Sequence, residues 1–140
     1  MSTKIVVDSS VIVKWLNDVD EINLDQANKL LADGLKGSID LLAPELAKYE
    51  IGNVLLLKKK LSSEEIKTPL RTLYALPIQF ITESEDLSKI TYDMAFEYGV
   101  TYYDASFMSI AKQYGATLIT ENIKHQGKST DISVKSLSEY

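Results

Sequence analysis

The stretch Ile5-Val6-Val7-Asp8-Ser9-Ser10 places an acidic residue directly after a short apolar run. Short apolar runs are typical of buried strands, and an aspartate followed by serines is typical of the start of a helix. Strands that alternate with helices build parallel α/β sheets. In open sheets of this kind, ligands bind beyond the carboxyl ends of the strands. The stretch therefore favours an α/β fold and makes Asp8 a candidate site residue.

Short apolar runs alternate with longer helical patterns along the whole chain. This alternation predicts an α/β fold with a central parallel sheet of about five strands and helices on both faces. No linker or internal repeat interrupts the pattern, so residues 1–140 are predicted to form a single domain. The predicted strands are Lys4–Val7, Asp40–Leu42, Ile78–Ile81, Thr117–Ile119 and Ile132–Val134. The predicted helices are Ser9–Leu16, Leu24–Leu35, Pro44–Leu61, Ser63–Tyr74, Glu85–Tyr98 and Asp104–Tyr114.

Capping signals support several of these boundaries. Ser62 precedes Glu64 and Glu65 in the pattern of a helix start with acids in the first turn. Gly99 and Gly115 fall where helices are expected to end on a left-handed residue. The helices that precede these two glycines are therefore expected to stop there.

The composition excludes several classes of protein. With no cysteine, the chain cannot form a disulfide, a thiolate zinc site or a cysteine nucleophile. The apolar run before Asp8 is too short for a signal peptide or a spanning helix, so we expect a soluble, cytoplasmic protein with no membrane partner.

The net charge of −5 argues against a general polyanion binder. It does not exclude nucleic acid, because carboxylates that hold divalent cations no longer repel phosphate. The lysines available for a local basic track are Lys14, Lys58, Lys59, Lys60, Lys112, Lys124 and Lys128. For the three consecutive lysines, a solvated helix end is the simpler interpretation.

Glu50 lies in the predicted helix Pro44–Leu61 on the side that should be apolar. Leu46 precedes it by four residues, and Val54 and Leu57 follow it by four and seven, the spacing of one helix face. The apolar face of this helix therefore contains a charged residue. An unpaired buried carboxylate is too costly to persist. Glu50 is therefore expected to bind a metal ion, to form a buried ion pair or to reach the edge of the helix.

Asp104 is the third candidate acid, at the start of a predicted helix. Asp8 and Asp104 each have an alternative role as a helix N-cap. Together with Glu50, however, they are expected to meet in one crevice at the carboxyl end of the sheet, where crowding raises at least one pKa. Carboxylate ligands without neighbouring Cys or His select Mg²⁺ or Mn²⁺. Phosphodiester hydrolysis is the chemistry that such a site most naturally supports.

Four fragments in this order and spacing resemble the PIN domain, the Mg²⁺-dependent ribonuclease fold, and most of all the VapC-type toxins of prokaryotic toxin–antitoxin pairs. The fragments are Ile5-Val6-Val7-Asp8-Ser9-Ser10, Ala43-Pro44-Glu45-Leu46 leading to Glu50 and Asn53-Val54-Leu55, Tyr103-Asp104-Ala105-Ser106 with Ala111, and Thr117-Leu118-Ile119-Thr120. The resemblance covers nearly the whole length and implies a PIN-like three-layer sandwich.

The resemblance implies that Asp8 and Asp104 ligate Mg²⁺ and that Glu50 completes the catalytic set of acids. The implied reaction is in-line attack on an RNA phosphodiester by a metal-activated water. Whether Glu50 acts as a ligand or as the general base for that water stays open. The only histidine, His125, is expected to be a solvated loop residue, because nothing beside it in the sequence could orient it.

The resemblance also implies a supporting set of polar residues. Ser9 or Ser10 and Thr120 would carry hydroxyls that hold the ligands or contact the phosphate. Many relatives have a fourth acid two residues beyond this threonine, where the chain has Asn122, with Glu121 beside it. An amide can coordinate weakly or hold a metal-bound water but adds no charge. Asn122 therefore argues against a second metal ion, and the number of ions, one or two, stays open.

The implied partners are an RNA substrate, a second copy of the chain in a homodimer, and a cognate antitoxin. The antitoxin tail would lie over the active site, with a basic side chain directed at the acids. The apolar residues of the predicted helix Leu24–Leu35 are expected to belong to the core rather than to an interface.

Two other classes compete with this interpretation. A haloacid-dehalogenase-type site requires a second Asp where the chain has Ser10, and a receiver domain requires paired acids at the end of the first strand. Neither pattern is present. The remaining alternative is a catalytically weak or inactive PIN-like module that binds RNA or protein, which only Asn122 favours.

Overall fold

The computed structural model describes residues 2–140; Met1, the first residue of the predicted domain, lies outside the described residues. Five parallel strands form one sheet in the order β3-β2-β1-β4-β5. The strands are β1 (Thr3–Val7), β2 (Ile39–Pro44), β3 (Ile78–Ile81), β4 (Thr117–Thr120) and β5 (Val134–Ser136). The predicted parallel sheet is therefore confirmed.

Helices cover both faces of this sheet, as predicted. The α-helices are α1 (Ser9–Leu16), α2 (Leu24–Lys36), α3 (Leu46–Asn53), α4 (Lys67–Ala75), α5 (Glu85–Tyr98), α6 (Tyr102–Tyr114) and α7 (Ile123–Gln126). A π-helical turn, Val54–Lys58, continues α3, and a 3₁₀ turn, Leu137–Glu139, follows β5. Helix α1 packs on α2, α3 and α4, whereas α5 packs on α6, which contacts the strands. No helix within residues 2–140 combines the length and hydrophobicity needed to cross a bilayer.

The central strand β1 carries the core and sets the position of the site. Val6 pairs with Leu42 on one side and Leu118 on the other, and all three are buried. Because β1 has β2 on one side and β4 on the other, the order of the strands reverses around it. The carboxyl ends of β1 and β4 therefore flank the crevice in which open α/β sheets bind ligands.

Several boundaries fall where the sequence predicts them. Helices α1 and α5 and strand β3 have the predicted residues. Gly99 and Gly115 end α5 and α6 with φ of +66° and +63°, the left-handed conformation that glycine adopts without steric cost. Local capping chemistry was sufficient to place these ends.

Other boundaries differ from the prediction. Ser62 and Glu65 form the reciprocal hydrogen bonds of a capping box, but the residues after them form a turn and α4 begins only at Lys67. Strand β5 lies two residues later than predicted, and α7 lies in a stretch expected to be loop.

The helix predicted over Pro44–Leu61 is divided in the structure. Pro44 is the last residue of β2, and α3 passes into the π turn. The turn is closed by the Lys59 N–H, which donates to the Val54 carbonyl at 3.0 Å, five residues back. A π turn contains one residue more than an α turn, so the residues after it are rotated around the helix axis.

This rotation changes which residues face the core. The buried face consists of Ala47, Ile51 and Leu55. Leu57 is 65% exposed, so the expectation that it lies on the apolar face is wrong. Glu50 is half-buried at the edge of this face rather than at its centre.

Candidate active site

A crevice of about 630 Å³ lies at the carboxyl ends of β1 and β4. Its lining includes Asp8, Glu50 and Asp104, with Glu121 and Asn122 at the end of β4. The acids come from the β1–α1 junction, from α3 and from the first turn of α6. The structure thus brings together the three acids that the sequence singles out.

Asp8 is held by hydrogen bonds at both carboxylate oxygens. Oδ2 accepts from the Ser10 N–H at 3.1 Å and the Ser10 hydroxyl at 2.6 Å, and Oδ1 accepts from the Gln126 side-chain amide at 3.1 Å. Asp8 is therefore both the N-cap of α1 and part of the crevice, with an exposure of 7%. Ser10 also accepts from the Glu121 N–H at 3.1 Å, which joins the ends of β1 and β4.

Glu50 is held by Ser9, whose hydroxyl donates to Oε1 at 2.8 Å. Burial is the main cause that raises the pKa of Glu50, and the charges of Asp8 and Asp104 add to it, while the hydrogen bond from Ser9 opposes the shift. Among residues 2–140, no lysine or arginine forms an ion pair with Glu50. The ion-pair alternative for Glu50 is therefore not what the structure contains.

Asp104 lies in the first turn of α6 and is not its N-cap. Thr101 caps the helix, since its hydroxyl accepts from the Asp104 N–H at 3.0 Å. Burial raises the pKa of the Asp104 carboxyl, and the charge of Asp8 raises it further, whereas His125 lowers it. His125 itself is exposed, as expected, although it lies in α7 rather than in a loop.

The polar residues after β4 support the crevice in different ways. Thr120 is fully buried, and its hydroxyl accepts from the Asn122 N–H at 2.8 Å, so it orders the chain that leads to Asn122. Asn122 lines the crevice beside Asp8 and Asp104. The hydroxyls of Ser9 and Ser10, by comparison, bond directly to the acids.

The carboxylates of the crevice are suitable ligands for a hard divalent cation, but they do not surround one point. Carboxylate oxygens suit Mg²⁺ and Mn²⁺. Burial is the main cause that raises the pKa values of Glu50 and Asp104, and a cation would relieve the smaller part that comes from neighbouring carboxylates. Within residues 2–140, however, no three acidic or histidine side chains are grouped closely enough to enclose an ion. The carboxylates instead hold neighbouring hydroxyl and amide groups.

Lys14, which the sequence makes a candidate for a basic track, is instead buried and paired with acids. Its side chain is 3% exposed, and its ammonium lies 3.0 Å from Glu21 and 3.2 Å from Glu121 and donates to the Ile22 carbonyl at 2.8 Å. Lys59 lies 2.7 Å from the other oxygen of Glu21. These two lysines hold the loop between α1 and α2 and pair with acids, which lowers the pKa of Glu21 despite its burial.

The remaining lysines of the predicted basic track do not form one continuous surface. Lys112 lies 3.5 Å from Asp131, outside the crevice. Lys124 and Lys128 are exposed around α7. Of the candidates, Lys14, Lys58 and Lys59 line the crevice.

Gln126 is the residue that the sequence gives no reason to select. It is fully buried, and its amide bonds Asp8 from the short helix α7. Its Oε1 is a buried side-chain atom without a hydrogen-bond partner among the described residues. A glutamine inside the polar stretch 122–131 shows no apolar periodicity, so no sequence pattern indicates its burial.

The PIN domain family model matches residues 5–127, so the chain belongs to the PIN domain family. The predicted PIN-like fold is confirmed. No curated protein sequence matches the chain significantly.

Three solved structures illustrate the likeness. PAE2754 from Pyrobaculum aerophilum has a TM-score of 0.66 and 21% identity, over 99% of this chain and 94% of that one. VapBC2 from Rickettsia felis, bound to a DNA fragment from its promoter, has a TM-score of 0.71 and 16% identity, over 96% and 98%. VapC20 from Mycobacterium tuberculosis, a toxin that cleaves the sarcin–ricin loop, has a TM-score of 0.61 and 13% identity, over 81% and 86%. At these identities the likeness establishes the fold.

Proposed function

We propose that this protein is an endoribonuclease that hydrolyses RNA phosphodiester bonds with Mg²⁺ or Mn²⁺, and that it is the toxin of a VapBC-type toxin–antitoxin pair. The observation that carries the proposal is the position of Asp8, Glu50 and Asp104, which line one crevice beside the central strand. The chain has no cysteine and its one histidine is exposed, so the acids are the main groups of the crevice that can bind a metal ion.

In the proposed site Asp8 and Asp104 hold the ion. Asp8 is oriented by Ser10 and Gln126, which fix its carboxylate plane. Glu50 completes the set either as a ligand or as the base that accepts a proton from the attacking water, a role that its raised pKa favours. A bound divalent cation would supply charge neutralisation at the phosphate and would acidify water. Asn122 contributes an amide oxygen but no charge.

A second candidate function is a PIN-like module that binds RNA or protein with little or no cleavage. Two points favour it. In the resemblance, many relatives have an acid where this chain has Asn122, and the acids within residues 2–140 are not grouped closely around one point. Retention of Asp8, Glu50 and Asp104 in one crevice favours the nuclease. RNA cleavage separates the two functions.

The proposed partners follow from the family. Solved relatives of this fold are described as toxin–antitoxin complexes, among them one from Klebsiella pneumoniae. We infer a cognate antitoxin, an RNA substrate in the cytoplasm, and a homodimer. Large exposed apolar side chains, such as Phe96 at 82% and Tyr92 on the same helix, are consistent with such contacts.

The test is RNA cleavage by protein freed of any bound antitoxin, with Mg²⁺ or Mn²⁺ and with chelator. Asp8→Asn should reduce cleavage by about a hundredfold or more, because a charged ligand is lost. Asparagine is as good an N-cap as aspartate, so α1 should remain intact in this variant. Asp93→Asn, the same change at an exposed position of α5, should leave cleavage unaffected.

Two outcomes would contradict the nuclease assignment. The first is a purified protein that cuts no RNA with either cation. The second is Asp8→Asn protein that cuts as fast as the parent. Either result leaves the binding module as the better account.

A further inference from the structure

Lys58 differs from the other two lysines of the crevice, because it forms no ion pair within residues 2–140. Three lysines line the crevice, and two of them pair with buried or half-buried acids: Lys14 with Glu21 and Glu121, and Lys59 with Glu21. Within residues 2–140, the Lys58 ammonium lies within 4.0 Å of no carboxylate, and the residue is exposed. Its position in an acidic crevice therefore needs another explanation.

The π turn accounts for that position. Lys58 follows Glu50 by eight residues, which in an unbroken α-helix would rotate it by about 80° from the direction of Glu50. The additional residue in the π turn absorbs about 100°, so Lys58 returns to within about 20° of that direction. Both residues consequently line the same crevice. The same rotation turns Leu57 out to solvent.

We propose that Lys58 binds a backbone phosphate of the RNA strand, next to the phosphate that occupies the acidic end of the crevice. Lys58 lies about two helical turns from Glu50, roughly 10 Å along the axis, so the two groups do not compete for one phosphate. A flexible ammonium is suited to phosphate as a point charge that reads no base. Lys58 is thus a substrate-binding residue that sets affinity and strand position. This inference rests on the proposed action on RNA.

Its test is a binding titration that does not depend on cleavage. The probe is a fluorescein-labelled pool of random single-stranded RNA dodecamers, and the protein carries Asp8→Asn so that the RNA stays intact. Affinity is measured with Mg²⁺ between about 50 and 200 mM salt, where each phosphate contact on a single strand adds about 0.7 to the slope of log K against log salt. Lys58→Gln should weaken binding about threefold to tenfold and lower the slope by about 0.7.

Two further variants make the comparison specific. Lys60→Gln removes the same charge two residues away, from an exposed lysine outside the crevice lining, and should change neither affinity nor slope. Lys58→Arg keeps the charge and should restore the slope. Because Lys58 is exposed and forms no ion pair within residues 2–140, melting temperatures should agree across the set.

Several results would overturn the inference. They are an unchanged slope for Lys58→Gln, an equal loss for Lys60→Gln, or no binding of the RNA pool by the Asp8→Asn protein at the lowest salt. If the parent cuts RNA while Lys58→Gln binds normally, only the role of Lys58 fails. If Lys58→Gln weakens binding but the parent never cuts, the nuclease fails and the RNA-contacting role of Lys58 stands.

Discussion

Replacement of Asp104 by asparagine should separate stability from metal binding. Burial and the charge of Asp8 raise the pKa of Asp104 above its ordinary value of 3.8. The native state therefore holds a proton at this site more tightly than the unfolded chain does, and ionisation costs native stability. This cost is complete above the raised pKa and disappears as the pH falls below 3.8. At pH 7, Asp104→Asn should stabilise the metal-free protein.

The cost that the substitution removes comes mainly from burial of the Asp104 carboxylate, with repulsion by Asp8 added. A generic pair of charges gives its scale. Two unit charges 4 Å apart interact by about 4 kcal/mol at an effective dielectric of 20 and by about 1 kcal/mol in water. The crevice is open to solvent and Asp104 is partly exposed, so the lower figure applies. For a chain of 140 residues, about 1 kcal/mol raises the melting temperature by roughly 3 °C.

Metal binding should have the opposite effect, because it should stabilise the parent more than it stabilises Asp104→Asn. At a Mg²⁺ concentration of about ten times its dissociation constant, binding to the native state adds about 1.4 kcal/mol, or roughly 4 °C, to the parent. Asp104→Asn should lose most of this gain, because it lacks a charged ligand. The variant is therefore more stable than the parent in chelator and gains less in Mg²⁺.

The assay is thermal unfolding followed by circular dichroism, in chelator and in Mg²⁺ or Mn²⁺, from pH 7 downward. Asp93→Asn on α5 is the matched control and should melt with the parent under every condition. The advantage of Asp104→Asn in chelator should shrink as the pH falls through the raised pKa of Asp104. The reasoning is refuted if neither cation shifts the parent, or if Asp104→Asn is destabilised in chelator and keeps the full Mg²⁺ response.

Two further substitutions test the surroundings of the acids. Lys14→Met should lower the free energy of unfolding in urea by about 2–4 kcal/mol, since it leaves Glu21 and Glu121 without their buried partner. Lys59 contacts only Glu21 among these acids, so Lys59→Met should lower this free energy by less. Equal losses in the two variants would contradict the central role of Lys14. Asn122→Asp should enlarge the Mg²⁺-dependent rise in melting temperature, and an unchanged rise would mean that Asn122 does not face the ion.

The sheet and the meeting of the acids were predictable because both depend on simple periodic rules. The apolar run before Asp8 defines β1, and a parallel sheet puts the ends of its strands at one edge. Glu50 was identified by a charge in an apolar pattern, which is a local signal. Its place in the crevice beside Asp8 and Asp104 then follows from the fold.

Two of the features that escaped prediction depend on contacts between distant residues, and a third is a local turn without a sequence signal. Of the two acids that pair with Lys14, Glu21 is close in the sequence but Glu121 is distant. The sequence around Lys14 therefore shows only part of what buries it. Gln126 lies in α7, which packs on α6 and β5, and its amide reaches Asp8 at the end of β1. Its own segment is polar apart from Ile123, so no sequence pattern indicates this burial. No residue pattern in the sequence marks the π turn. The spacing of an unbroken α-helix therefore assigns Leu57 to the wrong face.

The charge of the crevice links the proposed metal site to the proposed RNA contact. Six acidic and three basic residues line it, a net charge of −3 in the metal-free protein. Such a surface repels phosphate, and the overall charge of −5 adds to the repulsion. One divalent cation reduces the local charge to about −1 and two reverse it to about +1, since each adds two positive charges. Binding of cation and RNA must then favour each other reciprocally. In the proposed function, the carboxylates that repel RNA in the metal-free protein are the groups that hold the ions to which it binds.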